Sequence, residues 1–110
     1  MTSYEYIDGN GNLYAISKTA IVYDPITAEE SSTGTYNGGE PYTAPLAEKQ
    51  FNDLELVFKN CIQEKEGQTT SRNKGTGTLV ILPSKIHYIF EMDSWQKKVI
   101  EAGIKMMTQR

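Results

Sequence analysis

Two residues that could support covalent chemistry occur once each in the chain, Cys61 and His87. A thiol nucleophile needs an imidazole within hydrogen-bond reach to take its proton. Cys61, however, falls on the apolar stripe of a predicted helix, where cysteine behaves as a small hydrophobic side chain. A zinc ion would need carboxylates for its remaining ligands, and the sequence shows no such cluster beside either residue. We therefore expect no metal and no cofactor.

Paired carboxylates are the second candidate chemistry. Glu29 and Glu30 are adjacent in a polar segment, and Glu91 lies two residues before Asp93. General acid–base catalysis needs a carboxyl group whose pKa is shifted by burial or by a close partner, and neighbouring acids in a loop are normally solvated. Asp93 has the spacing to Gln96 of a capping box, which predicts the start of a helix. The sequence therefore predicts a protein that is not an enzyme.

Two glycine-rich runs are the third candidate, because glycine-rich loops can cradle phosphate groups. Residues 33–39 read TGTYNGG and residues 74–77 read KGTG. A P-loop needs the pattern GxxxxGK[ST] at the opening of a helix, where backbone N–H groups meet the anion, and neither run has it. Both runs are typical of ordinary loops.

The long polar segment around the first run is the main candidate for binding. Residues 26–45 show no periodicity, and connections longer than about 12–15 residues are usually functional or disordered. We expect this loop to present residues 31–41 to a protein partner, as inhibitors, immunity proteins and adaptors do, with Tyr36 as the anchor and Glu40 as a polar contact. The predicted binding residues are Ser31, Ser32, Thr33, Gly34, Tyr36, Asn37, Gly38, Gly39, Glu40, Arg72 and Lys74.

Two alternatives stay open. In the first, the hydroxyl groups of residues 31–33 and the glycine amides bind a small anionic ligand, such as a nucleotide or a phosphorylated metabolite, with help from Arg72 or Lys74. In the second, the sheet pairs edge to edge or face to face, and the chain is a homodimeric structural module.

Length and composition limit the class of protein. A chain of 110 residues with 38% hydrophobic and 23% charged residues predicts one globular domain. The opening MTSYEYIDGNGN has no signal-peptide pattern, and no apolar run approaches the roughly 18 residues that cross a bilayer. A single cysteine excludes an intrachain disulfide scaffold. We therefore expect a soluble, cytoplasmic protein without a membrane partner.

The charges are unevenly distributed along the chain. Residues 1–58 carry a net charge of -7 and residues 59–110 a net charge of +4, as counted from the acidic and basic residues of each half. The second half could form a basic patch. The chain as a whole has a pI near 5.1 and shows no nucleic-acid-binding motif. We therefore do not expect it to bind nucleic acid.

The elements that position these residues follow from turns and periodicity. Residues 4–16, YEYIDGNGNLYAI, predict a hairpin around Asp-Gly and Asn-Gly steps, and residues 20–24 predict a third strand that ends before Pro25. Residues 79–82 and 85–90 predict a second hairpin across Pro83-Ser84. The order β-β-β-α-β-β-α predicts an α+β fold, with a mainly antiparallel sheet of about five strands and two helices packed on one face.

Two apolar stripes predict the helices. The first helix is expected near residues 47–65, and the second begins near Asp93. Their stripes are Ala47, Phe51, Leu54, Phe58 and Cys61 in the first helix and Trp95, Val99, Ala102 and Met106, widened by Ile100, Gly103 and Met107, in the second. With both helices on one face, the other face of the sheet meets water or a partner. One hypothesis places the strand tyrosines on that outer face, where they would form an aromatic contact surface.

Overall fold

The computed structural model describes residues 2–26, 39–71 and 75–108, and within these ranges the chain forms seven strands and two helices. The strands are β1 (Ser3–Ile7), β2 (Leu13–Ile16), β3 (Ala20–Asp24), β4 (Tyr42–Pro45), β5 (Gln68–Thr69), β6 (Gly77–Leu82) and β7 (Ile86–Phe90). The helices are α1 (Glu48–Gln63) and α2 (Trp95–Thr108). The α+β class is confirmed, whereas the predicted number of about five strands is wrong.

The two strands that the sequence did not predict are the edge strands of the sheet. β4 lies within the segment 26–45 that was predicted to be one loop, and it pairs with β3. β5 has only two residues and pairs with β7. Neither segment alternates apolar and polar residues over enough positions to indicate a strand. Each becomes a strand because a neighbouring strand supplies its hydrogen-bond partners.

The sheet has the order β4-β3-β2-β1-β6-β7-β5, and every neighbouring pair is antiparallel. The predicted first hairpin is confirmed. Its turn is held by the Asp8 carboxylate, whose Oδ1 accepts hydrogen bonds from the backbone N–H groups of Asn10 at 2.9 Å and Asn12 at 3.0 Å. Gly11 in this turn has a φ of +92°, a left-handed conformation that favours glycine.

Both helices pack on the same face of the sheet. Tyr4 of β1 donates a hydrogen bond to α1, and Tyr6 of the same strand donates one to α2. Residues two apart in a strand share a face, so the two helices lie side by side above β1 and its neighbours. The predicted stripe of α1 is confirmed in its four residues that the helix includes, all of them buried: Phe51, Leu54, Phe58 and Cys61.

Helix α2 turns a different face to the core from the one predicted. Ile100 and Ile104 are buried, whereas Trp95, Val99 and Met106 leave 46%, 39% and 72% of their surface exposed. The predicted central line of the stripe is therefore wrong, whereas Ile100, which was predicted to widen it, does face the core. The helix carries apolar residues on two neighbouring faces, and contact with the sheet and with α1 selects the face that contains the isoleucines.

The N-terminus of α2 also differs from the prediction. Ser94 precedes the helix, and its Oγ accepts a hydrogen bond from the backbone N–H of Lys97 at 3.2 Å. Gln96 is fully buried, and its amide nitrogen donates to the backbone oxygens of Glu64, at 3.1 Å, and Glu66. The predicted capping box of Asp93 and Gln96 is therefore wrong, because Ser94 caps the helix and Gln96 joins it to the end of α1.

Candidate functional site

Most of the predicted loop site lies outside the described residues. This applies to Ser31, Ser32, Thr33, Gly34, Tyr36, Asn37, Gly38, Arg72 and Lys74. The two predicted residues that are described, Gly39 and Glu40, are both exposed just before β4, and Gly39 has a φ of +97°. The binding role of residues 31–41 stays a prediction.

The single cysteine and the single histidine lie on opposite faces of the sheet. Cys61 is buried between the helices, where its thiol donates to the backbone oxygen of Gln96 at 3.8 Å. Burial raises the pKa of this thiol to about 11, so the thiol is protonated at neutral pH. Leu79 and Tyr88 are register partners whose side chains face the helices. His87 pairs with Val80, the next pair along the strands, and neighbouring residues of a strand point to opposite faces, so His87 belongs to the outer face. The two side chains therefore do not form a nucleophile–base pair.

Four neighbouring strands each contribute one tyrosine to a continuous row. Tyr6, Tyr14, Tyr23 and Tyr42 are successive register partners across β1, β2, β3 and β4. Their ring centroids are 6.5, 4.8 and 5.0 Å apart in that order. Because Tyr6 contacts α2, the whole row lies on the helix face. The hypothesis that the strand tyrosines occupy the outer face is therefore wrong.

The inner end of this row is bonded to α2. Tyr6 is fully buried, and its hydroxyl donates to Oε2 of Glu101 at 2.6 Å. The ammonium group of Lys97 contacts the same oxygen at 2.8 Å. Burial, followed by the hydrogen bond to Glu101, raises the pKa of Tyr6, so the phenol stays a proton donor. The other carboxylate oxygen, Oε1 of Glu101, has no hydrogen-bond partner among the described residues.

The outer part of the row borders a cavity of about 300 Å³ next to the C-terminal half of α2. We call this cavity the tyrosine cleft. Its lining residues are Asp8, Tyr14, Tyr42, Glu101, Ile104, Lys105 and Thr108. Among the described lining residues there are two carboxylates and one ammonium group, and the carboxylate of Glu101 is also paired with Lys97. The hydroxyl group of Tyr14 has no hydrogen-bond partner among the residues that the structure describes.

The pKa of the Tyr14 phenol is raised by burial and by the neighbouring groups Tyr23, Asp8, Tyr42 and Glu101, in that order. A negative charge on Tyr14 would be repelled by the two carboxylates, so the proton is held more tightly. The same electrostatic environment favours a positive charge in the tyrosine cleft.

The second candidate surface is the exposed side of α2, which we call the Trp95 stripe: Trp95, Val99, Ala102 and Met106. Steps of four, three and four residues place these side chains along one line of the helix. Lys98 and Lys105 lie beside this line on one edge, both exposed and without an ion pair among the described residues. The surface is therefore apolar along its centre and positively charged along one edge.

Sequence reasoning identified the residues of the Trp95 stripe but assigned them to the core. It missed the tyrosine row, although one signal was present. Tyr6 and Tyr14 are equally far in sequence from the centre of the turn between β1 and β2. Tyr14 and Tyr23 lie at similar distances on either side of the turn between β2 and β3. Side chains placed symmetrically about a tight turn become cross-strand neighbours.

No membrane-spanning helix is found in the parts of the chain that the structure describes, because neither α1 nor α2 is both long and apolar enough. Comparison of the chain with protein-family models, with curated proteins and with solved structures gives no match.

Proposed function

We propose that this protein is a non-catalytic binding protein that engages a protein partner through the Trp95 stripe. The observation that carries the proposal is the exposure of Trp95, Val99 and Met106 along one line of a helix whose opposite side is well buried. Tryptophan and methionine are enriched at protein interfaces, and contiguous exposed apolar patches mark such contacts. Covering the stripe would remove this apolar surface from water.

The non-catalytic part of the proposal is supported by the state of the reactive groups. Cys61 is buried and protonated, and His87 belongs to the opposite face of the sheet. Glu101, the carboxylate beside the cleft, already accepts a hydrogen bond from Tyr6 and an ion pair from Lys97. None of these groups is arranged as a nucleophile with its base.

The charges beside the stripe indicate what the partner presents. Lys98 and Lys105 are seven residues apart, so they lie about 10 Å apart along the same edge of α2. A partner that covers the apolar centre and offers carboxylates to this edge would be complementary in both respects. An amphipathic helix with acidic residues along one side meets both conditions.

The loop contact predicted from the sequence is a separate part of this proposal. Residues 31–41 would add a second contact with the same partner or with another one, with Tyr36 as the anchor. Replacement of both Tyr36 and Gly38 by alanine tests it, since unchanged partner capture would remove the loop from the binding surface. A cytoplasmic location likewise stays a prediction.

Charge insertion into the stripe tests the proposed function. The double variant Val99→Glu, Met106→Glu should weaken partner capture from an extract of the source organism by about a thousandfold, because interface residues that dominate binding are worth about 2 kcal/mol or more each and two are replaced. Both positions are exposed, so folding should be retained, which circular dichroism and thermal unfolding would verify.

Leu56 provides the matched control. It is an apolar residue of α1 with 60% of its surface exposed, and it lies outside the Trp95 stripe. Leu56→Glu should capture the same partner as the unchanged protein. The proposal is overturned if the stripe variant and the Leu56 variant capture the same proteins in the same amounts.

A further inference from the structure

The tyrosine cleft is distinct from the surface that the proposed protein contact uses. The Trp95 stripe follows the outward side of α2, whereas the cleft lies where that helix meets the first turn, β2 and β4. Among the described residues, Lys105 borders both. A ligand in the cleft would therefore be recognised by chemistry of its own.

Hydrogen bonds and an ion pair hold the two carboxylates of the cleft in place. They do not use every hydrogen-bond acceptor site of these groups. Glu101 uses only Oε2, for Tyr6 and Lys97, and Oε1 has no partner among the described residues. Asp8 is held by three N–H groups of the first turn, two from the backbone and one from the side chain of Asn12 at 3.0 Å. Both carboxylates are therefore preorganised, and a ligand would not have to order them.

The groups left for a ligand are mostly acceptors. Oε1 of Glu101 can only accept hydrogen bonds when it is ionised, and the Tyr14 hydroxyl can accept one as well. Tyrosine rings beside the site add a further attraction for positive charge through their π-electron faces. Among the described residues two positive charges oppose a bound cation: Lys97, which already pairs with Oε2 of Glu101, and Lys105, whose side chain is exposed.

We propose that the tyrosine cleft binds a small organic cation, a primary ammonium or guanidinium group, with Oε1 of Glu101 as its counter-charge, Asp8 as a second negative charge and the Tyr14 hydroxyl as an acceptor. A cavity of about 300 Å³ is large enough for such a group with a short carbon chain.

Titration with matched small molecules tests this inference. The probes are n-butylguanidinium, n-butylammonium and the neutral n-butylurea, with binding followed by the amide NMR signals of Tyr14 and Lys105. The cations should cause saturable shifts, and the urea should bind at least tenfold more weakly. Equal binding of the urea, or no saturable shift with either cation, would overturn the proposal.

Charge variants locate the counter-charge. Glu101→Gln keeps an acceptor for Tyr6 and should weaken cation binding about tenfold. Glu55→Gln is the matched control, because Glu55 accepts the equivalent hydrogen bond from Tyr4, at 2.7 Å, outside the cleft. Equal effects of the two substitutions would show that Glu101 is not the counter-charge, and the proposal would fall.

Two further variants separate a cation site from an anion site. Lys105→Met removes a like charge and should strengthen cation binding several-fold, whereas an anion site would be weakened. Tyr14→Phe keeps the ring and removes the acceptor, so it should weaken binding several-fold. A weaker cation affinity in Lys105→Met would contradict the inference. These titrations use no protein partner, so their failure would leave the proposed role of the Trp95 stripe untouched.

Discussion

Two tyrosine–glutamate hydrogen bonds show how one pair of residue types takes two roles. Tyr4 donates to Glu55 at 2.7 Å on α1, and Tyr6 donates to Glu101 at 2.6 Å on α2. Around Tyr4 the aromatic rings of α1 complete a core, with the Phe58 centroid at 4.8 Å. Beside Glu101 the row of tyrosines continues into an open cleft. The difference arises from the neighbours and not from the bonded pair.

Gln96 is a second residue whose role depends on its surroundings. Its side chain is fully buried, and its Oε1 is a buried acceptor without a hydrogen-bond partner among the described residues. This oxygen packs against Gly67, which has a φ of +92°. A side chain at position 67 would displace the amide from the two backbone carbonyls that it joins. Gly67 is therefore required both by its backbone conformation and by packing.

The first prediction compares two glycines with the same backbone conformation. Gly67→Ala should lower the free energy of unfolding by about 2–4 kcal/mol, because the strained φ and the collision with Gln96 add together. Gly39 has a φ of +97°, and no atom of the described residues lies within 4 Å of the position of a Cβ. Gly39→Ala should therefore cost only about 1–2 kcal/mol. Urea unfolding measures both values, and equal losses would contradict the role of Gln96.

At the scale of elements, α1 was predictable from the sequence and the orientation of α2 was not. The apolar residues of α1 lie on one face, apart from the exposed Leu56, so only one face could be buried. Helix α2 has apolar residues on two neighbouring faces. Gly103 helps to decide between them, because a Cβ at that position would lie only 3.2 Å from Cδ2 of Leu54. The close approach of the helices follows from this contact, and the isoleucine face turns inward.

The second prediction tests this orientation with adjacent residues. Ile100→Ala should lower the free energy of unfolding by about 2–5 kcal/mol, since it removes a fully buried side chain. Val99→Ala should change it by less than about 0.5 kcal/mol, because Val99 leaves 39% of its surface exposed. Chemical denaturation of both variants provides the measurement. The reverse order of the two costs would show that Val99, and not Ile100, faces the core.

At the scale of the whole molecule, the two sides of α2 have different roles. One side completes the core with the sheet and α1, and the other presents the Trp95 stripe. The tyrosine cleft opens at the boundary between α2 and the strands at one end of the sheet. A cation in the cleft and a protein on the stripe would therefore contact the same helix, with Lys105 common to both.

The third prediction concerns the pH dependence of the whole fold. The pKa values of Tyr4, Tyr6, Tyr14 and Cys61 are all raised, mainly by burial. A raised pKa means that the folded state keeps a proton that the unfolded state loses, so stability falls as pH rises through this range. For Cys61 the window extends from its ordinary value of 9.0 to about 11, and for the tyrosines it begins at 10.0.

Urea unfolding at about pH 7.5 and about pH 10.5 measures this effect. Stability should be lower at the higher pH, and the difference between the two should be smaller in Tyr6→Phe, which removes one titrating group. An unchanged difference in that variant would show that Tyr6 does not contribute. The stabilities at the two pH values are compared within one variant. The loss of the hydrogen bond to Glu101 affects both values, so it cancels in their difference.

The sequence by itself determined the elements whose signals are local. The first turn, the two hairpins and the stripe of α1 depend on residues close together in the chain, and all of them are confirmed. The edge strands β4 and β5 lacked such a signal, since their hydrogen-bond partners lie on other segments. The buried face of α2, the capping by Ser94 and the helix-face position of the tyrosines were also decided only in three dimensions.

The tyrosine cleft shows the same limit most clearly. Asp8 lies in the first turn, Tyr14 and Tyr42 come from different strands, and Glu101 is on the last helix. No spacing in the sequence relates these residues, because their proximity depends on the strand order and on how α2 crosses the sheet. Local patterns thus fixed most of the elements, and the packing of distant segments determined which surfaces they leave for binding.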